Sequence, residues 1–150
     1  MSIRTRAFGP LAGILVSIVV ATGVAQAADR PYTEGTVSVV QSIRTEPGMF
    51  QAYMKYLSTT YKQIMEEEKK AGIIVDYAVY QSTPHTATDP DVYLVVTYKN
   101  MAALDELNDR TDPILDKIAG PQEQRDTAMA ARGKMRTSLG TETIRQLVLK

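Results

Sequence analysis

Between Phe50 and Glu68 one row of side chains recurs three and four residues apart. Phe50, Tyr53, Met54, Leu57, Tyr61, Ile64, Met65 and Glu68 share a single helical stripe, and every member but Glu68 is apolar. A helix of that length must bury its stripe against something broad. On the opposite side Lys62 with Glu66, and Glu66 with Lys70, form i,i+4 pairs suited to water. Glu46 precedes the helix, Lys69 and Lys70 close it, and Gly72 supplies the C-cap, all in keeping with the helix dipole.

The flanking segments read as strands. Residues 36–44 alternate, with Val37, Val39 and Ile43 on one face and Ser38, Val40, Ser42 and Arg44 on the other. Residues 73–81 and 92–98 are rich in Val, Ile and Tyr, and a polar loop with Pro84 and Pro90 joins them. Asn100 is expected to cap a helix reaching about residue 109. Asp112-Pro113 is expected to open a short second helix ending at Gly120. A weaker Ala- and Met-rich helix is expected over residues 121–139, closed by Gly140, and a last strand over residues 141–149. The order β-α-β-β-α-β, with extra helical turns before the last strand, predicts an α+β, ferredoxin-like fold with an antiparallel sheet.

Such a sheet carries helices on one face only. Yet the third strand is apolar on both, with Val92, Leu94 and Val96 against Tyr93 and Val95. The second strand behaves alike, with Val75, Tyr77 and Val79 against Ile74, Ala78 and Tyr80. The chain has no spare layer, so a second copy is the economical cover and a homodimer is expected.

Composition bounds the function. The chain has 150 residues, 44% hydrophobic and 23% charged, which suits a single globular domain over residues 35–150. Zero net charge argues against nucleic acid as a partner. The absence of cysteine rules out disulfides, thiolate nucleophiles and Cys-bound metal. One histidine cannot build a multi-His centre, and neither a metal nor another cofactor is expected. Residues 1–27 read as a secretory signal peptide: Arg4 and Arg6, an apolar run, then Ala25-Gln26-Ala27 as a cleavage site. Residues 28–34 would be a polar lead-in. The expected compartment is periplasmic or secreted, with no stable membrane anchor after cleavage.

The two strand-to-helix joins, Ile43-Arg44-Thr45-Glu46-Pro47-Gly48-Met49-Phe50-Gln51-Ala52-Tyr53 and Leu94-Val95-Val96-Thr97-Tyr98-Lys99-Asn100-Met101-Ala102-Ala103-Leu104, carry a family resemblance. The chain resembles the dimeric α/β-barrel superfamily, in which two ferredoxin-like protomers press their sheets together. It is most similar to exported bacterial members without established function. The superfamily includes antibiotic-biosynthesis-type and haem-degrading monooxygenases. The haem-degrading members use a helical His and a Trp. Here Trp is absent and His85 falls in a loop, so that chemistry is not expected. The resemblance implies fold more than activity.

Three functional readings stay open on the sequence: a small domain binding a partly apolar molecule, a cofactor-independent oxidase or isomerase of the monooxygenase type, and a purely structural envelope dimer. The candidate ligand-binding residues are Tyr77, Tyr80, Tyr93 and Tyr98 on the two apolar strands, whose hydroxyls need partners if buried, and Arg44, suited to a carboxylate. No catalytic residue is assigned. His85 with Asp89 and Asp91 reads as a polar loop rather than a metal cluster. Asp105, Asp109, Asp112 and Asp116 read as a solvated acidic face.

Overall fold

The structure, a computed structural model, describes residues 29–150; the expected signal peptide lies outside the described residues. β1 (Tyr32–Thr45) starts earlier than its alternation suggests, inside the stretch expected to be a lead-in. The reason lies at the other end of the chain. Tyr32, Thr33 and Glu34 find partners in Leu149, Val148 and Leu147 of β4 (Arg136–Leu149).

The amphipathic stripe forms one helical rod: α1 (Phe50–Tyr56), a π-helical turn (Leu57–Tyr61) and α2 (Lys62–Lys70). Tyr53, Leu57, Ile64, Met65 and Glu68 are buried along it. The wide turn leaves backbone carbonyls short of partners. The Ser58 and Thr59 hydroxyls both donate to the Lys55 carbonyl, at 3.0 and 2.8 Å. After α2 the chain reverses through Gly72 at φ +70°, a conformation that favours glycine. Ile73 and Ile74 are buried in this turn, ahead of β2 (Asp76–Gln81), which is shorter than the expected strand. β3 (Val92–Tyr98) matches its expected span.

The next segment departs from expectation. Asn100 does act as a cap, its carboxamide oxygen accepting from the Ala103 N–H at 3.1 Å. The turn it starts is short, Met101–Leu104. The chain breaks at Glu106, at φ +51°, and α3 (Leu107–Ala119) then runs unbroken through Pro113. The break sits earlier than Asp112-Pro113 because Arg110 reaches back and donates to the carbonyls of Ala103 and Asp105. Pro113 forfeits one backbone bond on an exposed turn. α4 (Gln122–Gly133) ends well before residue 139, and β4 begins at Arg136 rather than 141. The long β1 sets this, since Arg136, Thr137 and Ser138 have Thr45, Arg44 and Ile43 to pair with.

The strand order is β2-β3-β1-β4 with every neighbouring pair antiparallel. With helices crossing from β1 to β2 and from β3 to β4, this is the ferredoxin-like arrangement. Register assigns the faces, because directly paired residues point the same way. Ile43, Val92 and Leu94 pack with Tyr53 and Leu57 in one cluster. Tyr98 joins Ile64, Met65, Ile73 and Ile74 in a second, against which the inner sides of α3 residues Leu107, Ile114, Leu115 and Ile118 rest. The opposite face carries Val40, Ala78, Tyr80, Tyr93, Val95 and Ile144, among them Tyr80 and Ile144 about half exposed, at 57% and 49%. Among the described residues neither cluster extends to that face.

Candidate functional site

α3 rests on α2, while α4 has no buried side chain and spans the gap beside them. Its inward residues, Arg125, Ala128 and Arg132, recur at helical spacing and are half-buried. Between the rod, α3 and α4 lies a cavity of about 700 Å³. Its walls are mostly apolar: Ile64 and Met65 from α2, Leu115 and Ile118 from α3, Ala128 and Met129 from α4. A size and lining of this kind suit a small ligand held mainly by apolar contact and oriented by few polar groups.

Polar groups come from all three elements. Glu68 and Tyr61 face the cavity from the rod, Asp112 from α3, and Arg125, Asp126 and Arg132 from α4. Glu68 is only 5% exposed and makes no ion pair among the described residues, and burial pushes its carboxyl above the ordinary value of 4.5. The Tyr61 hydroxyl is buried without a hydrogen-bond partner, and burial pushes its ionisation strongly upward. Its ring meets Tyr77 edge-on at 6.1 Å. The Tyr61 phenol is a hydrogen-bond donor suited to a carbonyl or hydroxyl oxygen.

At Arg132 four side chains form a column. The Arg132 guanidinium lies 4.9 Å over the Tyr56 ring, Tyr56 stacks on Tyr53 at 6.1 Å, and Arg136 lies 5.6 Å from the Tyr53 ring. Tyr56 and Arg132 line the cavity; Tyr53 and Arg136 do not. The Tyr53 hydroxyl and Arg136 Nε are buried without partners. No carboxylate pairs with either arginine among the described residues, whereas Arg125 is committed to Asp116 at 2.7 Å and Asp112 at 3.2 Å, tying α4 to α3.

The five residues singled out in the sequence do not converge. Tyr77 donates to Glu66 Oε1 at 2.7 Å, and its ionisation is pushed up to about 12 by burial first and then by that carboxylate. Tyr98 is buried among the helices in the second cluster, its ionisation raised by burial. Tyr80 and Tyr93 are register partners on the open face. Arg44 donates to the Ala87 carbonyl at 3.1 Å, bracing the β2–β3 loop. None of the five lines the cavity. In that loop Asp89 accepts from the His85 and Thr86 N–H groups and Asp91 from Thr45, so both carboxylates serve the backbone. Among the described residues no group of three His, Asp or Glu side chains converges as metal ligands would, and no helix is long and apolar enough to cross a membrane.

Glu68 was visible in the sequence as the one carboxylate in an otherwise apolar stripe. Its burial has a testable sign. A carboxyl whose folded value is raised gives its full stability below the unfolded value and loses it as pH rises through the folded one. Glu68→Gln is therefore expected to match the wild type near about pH 4 and to exceed it in stability near about pH 8, by urea denaturation at both. A difference independent of pH would place the effect elsewhere.

No protein-family model matches the chain, and no curated protein matches it. Among solved structures the chain is similar to HapK from Hahella chejuensis, at 11% identity and a TM-score of 0.49, covering 73% of this chain and 91% of that one. It is also similar to two dimeric ferredoxin-like proteins from an uncultured marine organism. One has 12% identity and a TM-score of 0.48, covering 79% of this chain and 98% of the other. The second has 10% identity and a TM-score of 0.46, covering 79% and 90%. The ferredoxin-like assignment of this chain rests on its own strand order and connections.

Proposed function

We propose that the chain is an exported homodimer that binds a small, partly apolar molecule between its helices. The observation that carries this reading is the cavity among the rod, α3 and α4, with mostly apolar walls and a few polar side chains. Assembly is supported by the apolar residues left on the open sheet face, Tyr80, Tyr93, Val95 and Ile144. Export is supported by the Arg4/Arg6 and Ala25-Gln26-Ala27 pattern.

Native mass spectrometry of the protein purified from its own cells reads all three parts at once. The expected spectrum is a dimer of chains beginning at Ala28, with a retained small-molecule mass that collisional activation releases. A chain still carrying Met1 would overturn export, a monomer would overturn assembly, and a dimer without added mass, together with no binding of apolar probes, would overturn the ligand reading.

A further inference from the structure

We infer that the cavity receives an amphipathic organic anion, its acid group at Arg132 and its apolar body along Leu115, Ala128 and Met129. This rests on the binding reading above and adds the chemical class of the ligand.

One contrast carries it. Of the two arginines that line this mostly apolar space, Arg125 holds Asp112 and Asp116, whereas Arg132, seven positions on along the same helix, has no carboxylate partner among the described residues. Arg132 is fixed by the Tyr56 ring rather than by an acid. Stacking of this kind orients the guanidinium plane and leaves its N–H edges free for an oxyanion.

Two probes of nearly the same skeleton isolate the acid group: anilinonaphthalene sulfonate, an anion, and N-phenyl-naphthylamine, which is neutral. Both are titrated into the purified dimer by fluorescence. The wild type is expected to bind the sulfonate at least about tenfold more tightly, the usual worth of a charge-assisted hydrogen bond. Arg132→Gln is expected to bring the two affinities together while leaving the neutral probe bound, and Arg132→Lys to restore part of the preference. Ala128→Trp, which fills the cavity, is expected to lose both probes. Equal affinities in the wild type overturn the anion inference and leave the cavity reading standing. Binding of neither probe overturns both. Sulfonate binding that survives Ala128→Trp places the anion elsewhere and overturns the inference. The wild-type ratio needs no variant to fold.

Discussion

Leu94→Asp is expected to leave the chain unfolded, and Tyr93→Asp to leave it folded but monomeric. The residues are neighbours in β3, yet register places them on opposite faces. Leu94 is 6% exposed among Ile43, Tyr53, Leu57 and Val92. Tyr93 pairs with Tyr80 and Ser42 on the open face. An unpaired carboxylate in the first position loses its water and gains no partner, a cost of several kcal/mol against a typical total stability of about 5–15 kcal/mol. In the second position the charge stays hydrated in the protomer and is desolvated only on assembly. Circular dichroism reads the fold and analytical ultracentrifugation the association. A Tyr93→Asp protein that still sediments as a dimer would show that the open face is not the interface.

Leu57→Ala is expected to destabilise by about 2–5 kcal/mol, the usual range for a buried leucine. Leu57 is 4% exposed and joins the rod to β1 and β3 through Ile43 and Leu94. It also opens the π-helical turn, whose backbone has little means to collapse into the space left behind. Lys62→Ala, five positions on and exposed, is expected to change stability by no more than about 0.5 kcal/mol. Equal midpoints for the two variants in a urea titration would place the rod's buried face wrongly.

Much of this architecture was legible before any coordinates. The rod was readable because one stripe of eight residues satisfies a single period, and the third strand because a proline-marked loop precedes it and the Asn100 cap follows. Element ends were harder, since they depend on distant partners. β1 reaches back to Tyr32 and β4 begins at Arg136 only because the two pair along their whole length. The break at Glu106 depends on Arg110 finding carbonyls seven and five residues away. The candidate site suffered most from this. A helix drawn out to residue 139 puts Arg136 on a helical surface. Ending at Gly133, it places Arg136 behind Tyr53, and no local pattern announces that neighbourhood. Glu68 was in view as an exception to its stripe, but its role needed α3 and α4 in place.

The pairing of β1 with β4 also governs when the molecule can become itself. Tyr32 opens the first strand and Leu149 closes the last, and they are register partners. Loop closure across nearly the whole chain must be paid before those contacts return anything, which slows folding and defers it. A nascent chain can wind its helical rod as soon as Lys70 has emerged. It cannot flank β1 on both sides until β4 is free. Any protease or docking partner that meets the growing polypeptide before then meets a half-sheet with a bare edge, and the sheet is complete only when the fourteen residues of β4 arrive.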